Sequence, residues 1–487
     1  MVMKQVLLME RVMDQTRLAV VEDDALCELY IQRPNTENLS GNVYLGRVEN
    51  VLPGMNAAFV DIGLEKNGFL SASDIRLFAQ GDRALSTILG KARIEKLVRP
   101  GQQLLVQVIR SQPGAKGPRL SCYITLPGRY LVLLAGVKYV GVSRKIESDA
   151  ERDRLYRIGL SLTDDGPDGL IVRTAAKGLD AERLQAEYAI LKAQLEDMKR
   201  NAGYTAAPGL IYDDNDLALR AVRDMLTEDV EGIWTDDERC LDRLLTLAKA
   251  MTPDLAGRVQ RHNGDTPLFD LYRVDSQIDR ALERYVWLDS GGSLVIDETE
   301  AMTVVDVNTG KNTGKRDADE TILAINREAA RELMRQLRLR DIGGTVIVDF
   351  INMRRASDAQ ALMSALREYA ASDRNRTRVV DITALGLVEL TRKRVRQSLS
   401  KQLTHTCSDC DGNGAVPSHE ATGRRALRDL WRRRRAGDAT ALRLEAAPAV
   451  CGWIKRFGVP EGSAVQLSPI EDMGAGEYCF TPMESKL

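Results

Sequence analysis

Between residues 282 and 403 the chain alternates short apolar, β-branched runs with stretches of helical periodicity. "SLVIDE", "AMTVVDVN" and "GTVIVDF" read as strands, and a long helix is expected from about Asp317 to Arg340. Asp317 and Glu320 have the spacing of a capping box, and Gly343-Gly344 offers a natural stop. That pattern is α/β.

Two of these strands carry an acid where burial is expected, Asp306 in "TVVDVN" and Asp349 in "VIVDF". A buried carboxylate must be paired, protonated, metal-bound, or set at a strand end facing a cleft. Side chains alternate along a strand, so Asn308 faces the same way as Asp306. Ligands of open α/β sheets bind beyond the carboxyl ends of the strands. Two carboxylates there, with an amide to orient one, make a hard oxygen site suited to Mg²⁺. Either aspartate alone more often caps a loop or pairs with an arginine, whereas both with Asn308 favour the metal. "TGKNTGKR" competes as a nucleotide-binding loop, but its spacing fails. Three residues rather than four separate Gly310 from Gly314, and Lys315 is followed by Arg316 rather than Ser or Thr. Lys311, Lys315 and Arg316 remain candidates for meeting phosphate.

At 487 residues the chain is too long for one core, and about three domains are expected. "KQVLLM", "TRLAVVED" and "LCELYIQR" read as strands, followed by punctuated strands over 41–70 and then "GQQLLVQVIR" and "PRLSCYITL". Five strands with little helix suggest a closed barrel of the OB type. Phe59 and Phe69, interleaved with Arg47, Lys66, Arg110 and Lys116, suit stacking on unpaired bases, although each ring alone reads equally well as barrel core. From 126 to about 218 strands mix with helices, the clearest placing Leu184, Tyr188, Leu191, Leu195 and Met198 on one face and stopping at Gly203. In "LIVRTAAKG", Arg173 offers a planar fork and Thr174 a hydroxyl at a strand end, a phosphate-type pairing.

Lys plus Arg is 68 against 70 for Asp plus Glu, a formal net charge of −2, which excludes a wholly basic nucleic-acid coat. Basic residues cluster at 391–401 and 423–435, each cluster either a solvated face or a path for a phosphate backbone. An odd count of seven cysteines implies a reduced, cytoplasmic protein. No signal sequence opens the chain, and its longest apolar run, 130–137, is too short to span a bilayer. The terminal Ser-Lys-Leu matches a peroxisomal address that nothing else supports. Cys407 and Cys410 stand at metal-ligand spacing, but Cys27, Cys122, Cys240, Cys451 and Cys479 stand alone, so a four-ligand zinc site lacks its other half.

Together these segments resemble the ribonuclease E/G family of bacterial endoribonucleases, and within it the members without a long disordered tail. The resemblance runs from "GNVYLGRVENVLPGMNAAFVDIGLEKNGFL" through "TVVDVNTG" and "QLRLRDIGGTVIVDFINM" to "CSDCDGNG". It implies an RNase H-like part in two segments (1–37 and 219–281) around an S1-type OB barrel (38–125) and a 5′-phosphate sensor (126–218). A DNase I-like catalytic region (282–403), a zinc link (404–418) and a small C-terminal dimerisation domain (419–487) follow. Asp306 and Asp349 match the family's Mg²⁺ aspartates, and Asn308 the residue bonded to them. Gly128, Val132, Arg173 and Thr174 match the sensor, Phe59, Phe69 and Lys116 the RNA clamp. Arg144 and Arg376 fit positions near the sensor and catalytic surface. The cysteine pair is implied to share one Zn²⁺ with the same pair of a second subunit, giving a homodimer or, beyond it, a tetramer. Ser408 stands where the family usually has Pro, and Asn352 where it has a further Asp.

The expected function is Mg²⁺-dependent internal cleavage of single-stranded RNA, including rRNA precursors and mRNA. Substrates bearing a 5′-monophosphate are preferred, and the ends left are a 5′-phosphate and a 3′-hydroxyl. A non-catalytic RNA-binding or ribosome-assembly factor would share the barrel without needing the two aspartates, and a nucleotide-driven enzyme would need nucleotide at Gly310–Lys315.

Overall fold

A computed structural model describes residues 4–33, 39–75, 93–110, 117–164, 166–310, 318–438, 440–459 and 464–483. The chain divides into two compact units, Met1–Leu399 and Ser400–Leu487.

The first unit begins with an antiparallel meander of β1 (Gln5–Val12), β2 (Gln15–Glu22) and β3 (Ala25–Gln32). A barrel follows, built from β4 (Val43–Leu52), β5 (Ala57–Asp61), β6 (Gly68–Ser71), β7 (Gln103–Arg110) and β8 (Arg119–Ser121). Pairing runs β4-β5-β6-β8-β7 and returns to β4, so the five strands close as the pattern predicted. Val48, Val60, Leu70, Val106 and Leu120 fill the interior. Gly68 is fixed by that packing, because a Cβ there would lie 2.4 Å from Leu120 Cδ1.

Next, β9 (Thr125–Pro127), β10 (Leu131–Leu134), β11 (Val140–Val142) and β12 (Gly169–Val172) form a sheet in the order β11-β12-β10-β9. Helices Asp149–Leu162 and Ala181–Tyr204 share its core. The expected apolar face of the second helix holds: Leu184, Leu191, Leu195 and Met198 are buried and Tyr188 packs half-buried against the same core, but the acid Glu187 is buried with them. β13 (Gly209–Tyr212) then adds to β4. β14 (Val230–Thr235) returns to pair parallel with β1, and β15 (Val259–Arg261) pairs with β14. One sheet, β15-β14-β1-β2-β3, is thus interrupted by everything from β4 to β13.

The last sheet of this unit holds β16 (Tyr285–Trp287), β17 (Ser293–Glu298), β18 (Met302–Asn308), β19 (Gly344–Asp349), β20 (Arg378–Ile382) and β21 (Val388–Arg392). Their order is β16-β17-β18-β19-β21-β20, and only β18 and β19 run parallel. Helices Ala318–Leu339 and Ala356–Ala371 cover one face, where Leu294, Val305, Val346, Leu333 and Leu362 are buried together. The other face is bare. Along β18, Thr303, Val305 and Val307 are buried while Met302, Val304, Asp306 and Asn308 are exposed. The α/β expectation holds, but the strands are not buried on both sides, so Asp306 and Asp349 carry no burial cost.

The end of the helix Ala318–Leu339 departs from expectation too. Asp341, at φ 48°, makes the left-handed turn two residues before Gly343. Its N–H donates to Arg338 and that of Ile342 to Leu337, a Schellman closure in which glycine is usual. Asp341 fills the position because its carboxylate meets Arg392 at 2.8 Å and Arg396 at 2.7 Å. Arg392, itself buried, also reaches Asp373 at 2.8 Å. Arg396 also lies over the Tyr30 ring at 3.9 Å. The basic run 391–401 therefore contributes Arg392 and Arg396 to internal ion pairs, while its Lys393, Arg394 and Lys401 are exposed. Arg338 pairs with Glu22 at 2.6 Å and Glu28 at 2.7 Å, fastening this helix to β2 and β3.

In the second unit, helices His419–Arg435 and Pro448–Phe457 pack on β22 (Leu442–Ala446), β23 (Val465–Pro469) and β24 (Tyr478–Pro482), ordered β23-β22-β24. Ala426, Leu444, Val450 and Ile454 form its core. Residues 404–418 precede it without helix or strand. No helix among the described residues is long and apolar enough to cross a membrane.

Candidate active site

Parallel pairing of β18 with β19 sets Asp306 directly opposite Asp349. Residues opposite one another on neighbouring strands share a face, and here it is the bare one, near the carboxyl ends of both strands. Asn308, two residues on, donates from Nδ2 to Asp306 Oδ2 at 2.9 Å, fixing that carboxylate's orientation. Neither aspartate forms an ion pair with a described residue. Two adjacent, water-accessible carboxylates with no cation paired to them among the described residues suit a hard divalent ion that keeps much of its own water, the habit of Mg²⁺. Among the described residues no group of three or more His, Cys, Asp or Glu side chains gathers closely enough to hold a metal, so this site would rest on two protein carboxylates. Lys311, Lys315 and Arg316, considered for phosphate, lie outside the described residues, as do Asp317 and Lys116.

Arg376 sits exposed in a tight turn before β20, at φ 56°. Asp373 organises that turn by accepting from the Asn375 N–H and the Thr377 hydroxyl while bound to Arg392. Burial alone would raise the Asp373 pKa, but hydrogen bonds and charge from Arg392 outweigh it and hold the carboxyl below its usual range.

A second cluster forms at one end of the β9–β12 sheet. The Arg173 N–H donates to the Tyr130 carbonyl at 2.7 Å, and the Ser143 N–H to the Val172 carbonyl at 2.8 Å. Gly128, Ser143-Arg144 and Arg173-Thr174 are thereby brought together. The Arg173 guanidinium donates to the Gly128 carbonyl and reaches Asp224 at 3.2 Å. Thr174 Oγ1 lies 2.8 Å from Ser143 Oγ. Arg144 is exposed, and Val132 is half-buried on β10 opposite Ile171 and Pro127. Burial works to raise the Asp224 pKa, but the charge and hydrogen bonds of Arg223, with Arg173 adding its charge, bring it below the usual range.

Sequence reasoning missed the residue that shapes this cluster. Glu187 is buried under the loop after Gly128 and accepts from the N–H groups of Arg129 (2.6 Å), Tyr130 (2.8 Å) and Leu131 (2.7 Å). Burial pushes its carboxyl pKa above the ordinary value despite these bonds and the nearby Arg173 charge. The available signal was its position three residues after Leu184 on an apolar helix face, where an acid is out of place.

On the barrel, Phe59 and Phe69 are direct cross-strand partners, with ring centroids 6.2 Å apart at 70°. Both are half-exposed and lie outside the interior cluster, so the reading of these rings as barrel core is overturned. In the second unit Cys407 is exposed and Cys410 half-exposed, at a turn where Asp411, Gly412 and Gly414 all have positive φ. The N–H groups of Gly414 and Gly412 hold the Cys410 thiol below its usual pKa. Two thiols this close in sequence and facing solvent, one of them depressed, fit a soft-metal ligand pair.

The model of the ribonuclease E/G family matches residues 125–395, which contain both the acid pair and the Arg173 cluster. Over 445 residues the chain is 40% identical to ribonuclease G of Escherichia coli K12, covering 91% of this chain and 90% of that protein. The chain belongs to the ribonuclease E/G family. It is 37% identical to Haemophilus influenzae ribonuclease G over 449 residues, 92% of this chain and 91% of that one. It is also 37% identical to E. coli K12 ribonuclease E over 428 residues, 88% of this chain but 40% of the longer protein. As a member of the ribonuclease E/G family it is an enzyme of the endoribonuclease class.

Proposed function

We propose that this chain cuts single-stranded RNA internally with Mg²⁺, acting on rRNA precursors and mRNA and preferring substrates that carry a 5′-monophosphate. The observation that carries the reading is the register pairing of Asp306 with Asp349 on a bare sheet face, with Asn308 locking one of them. Mg²⁺ held there supplies an activated water and offsets charge developing on the phosphodiester. Asp306 and Asp349 provide the two anionic oxygens, and Asn308 keeps Asp306 from swinging away. Attack by water rather than by the 2′-hydroxyl leaves a 5′-phosphate and a 3′-hydroxyl.

The other sites divide the work of holding the strand. Phe59 and Phe69 stack on bases along the barrel, with Lys116 on the phosphates, and Arg376 draws the backbone toward the acid pair. Arg173 and Thr174, with Gly128 and Val132, grip the 5′-monophosphate, and Arg144 adds charge. In this reading 1–37 and 219–281 make the RNase H-like part, 38–125 the S1-type barrel, 126–218 the sensor and 282–403 the DNase I-like region. Cys407 and Cys410 then supply half of a structural Cys₄ zinc site shared with a second copy in the cytoplasm. A closed Cys₄ site leaves no position for substrate.

The test is to incubate the protein with a short A/U-rich single-stranded RNA bearing a 5′-monophosphate, with Mg²⁺ or EDTA, beside Asp306→Asn and Asp349→Asn. Mg²⁺-dependent internal cuts lost in both variants support the reading. Equal binding without cutting by all three proteins leaves a non-catalytic RNA-binding factor.

A further inference from the structure

Strand β16 is the outer edge of the sheet that bears the acid pair. Edge strands usually carry charge or proline against unwanted pairing. Here the chain places Trp287 and Tyr285, 72% and 49% exposed, on either side of the buried Val286. A tryptophan so fully in water buries little apolar surface and does little for the fold.

Register shows which way the two rings face. Tyr285 lies opposite Val295, Val295 opposite Asp306, and Asp306 opposite Asp349. One transverse row thus joins Tyr285 to both aspartates on the bare face, and a second joins Trp287 through Ser293 to Asn308. At ~4.8 Å between strands, Tyr285 stands about 10 Å from Asp306, the reach of roughly one or two nucleotides. Arg284 is tied to Asp297 by contacts of 2.5 and 2.6 Å.

We infer that Tyr285 and Trp287 form an aromatic platform on which bases of the substrate strand stack beside the acid pair. The platform accepts unpaired bases of any sequence, because every base has a π-face, and it excludes duplex, whose bases are already stacked. It sets the path of the strand across the bare face and fixes which phosphate meets Asp306 and Asp349. The inference rests on the RNA-cleaving function proposed above.

The experiment measures binding of a short 5′-monophosphorylated single-stranded RNA, by fluorescence anisotropy, in an Asp306→Asn/Asp349→Asn background. Trp287→Ala is expected to weaken binding about 5- to 150-fold, the range for one lost base stack, and Trp287→Phe to stay within about threefold of the parent. RNA should quench the emission of the parent protein, and that quenching should fall away in Trp287→Phe, a readout independent of how well the alanine variant folds. Unchanged affinity in both Trp287→Ala and Tyr285→Ala, with no quenching, overturns the platform. So does a change in sedimentation of Trp287→Ala with RNA affinity intact, which would assign the edge to contact between copies of the chain. Wild-type protein assayed for cleavage alongside separates the two levels. If it cuts RNA while the variants bind normally, the platform alone fails; if it does not cut, the function beneath it fails as well.

Discussion

A Cβ on Gly128 would stand 2.9 Å from the carboxyl carbon of Glu187, so the missing side chain is what lets a buried acid close against the loop. Gly128→Ala must displace either the carboxylate or the loop, and with it the carbonyl that Arg173 grips. The expected outcome is loss of the preference for 5′-monophosphorylated over 5′-hydroxylated RNA, read as a ratio of kcat/KM, with cutting of the 5′-hydroxylated substrate within about threefold of wild type. Glu187→Gln should act in the same direction and cost about 1–3 kcal/mol in melting experiments. An amide cannot accept three N–H donors as a carboxylate does, and a buried donor left unpaired carries that penalty.

Asp373 gives a pH dependence with a definite sign. Its folded pKa is depressed, through Arg392, against an ordinary value near 3.9. The ionised pair therefore stabilises the fold fully above about pH 4 and is lost as pH falls through the lower, folded value. Asp373→Asn should cost about 3–5 kcal/mol at pH 7, the penalty for breaking a buried pair. The gap between variant and wild-type melting temperatures should narrow steadily below pH 4. A gap constant from pH 7 to pH 2 would contradict this account of the pair.

Phe59 and Phe69 lie outside the barrel core, so replacing either by alanine should cost little more than the ring–ring term of about 0.5–1.5 kcal/mol. RNA binding should weaken by about 1–3 kcal/mol for each base stack removed. A large loss of stability without loss of RNA affinity would make the rings structural.

Cys407→Ser and Cys410→Ser test the shared zinc. Wild type should carry one Zn²⁺ per two chains by elemental analysis, and each variant none. Sedimentation should show the mass halved in the variants and, equally, in wild type stripped by a strong chelator. Metal lost with the mass unchanged would count against sharing between subunits.

Much of the candidate site was legible because its signals are local. Asp306 and Asn308 share a face through the period of two along one strand. Their opposition to Asp349 needs the parallel return of β19 after a long helix, which no local pattern encodes. Gly343-Gly344 was the right kind of stop at the wrong residue, since Arg392 and Arg396, distant in sequence, stabilise Asp341 in the left-handed turn. The same two arginines read as part of a surface patch, of whose basic residues only Lys393, Arg394 and Lys401 are exposed. Glu187 stayed hidden because an acid on a helix normally reads as solvent-facing. Trp287 did so because sequence does not tell which strand ends a sheet.

The interrupted sheet β15-β14-β1-β2-β3 also dictates an order of events during synthesis. The parallel neighbour of β1 is made about 225 residues after it. At roughly 5–20 residues per second the first hairpins wait about 10 to 45 seconds for that partner. The barrel strands, β4 to β8, emerge within that interval and can close first. The nascent chain thus completes the module proposed to hold RNA well before the acid pair has been translated.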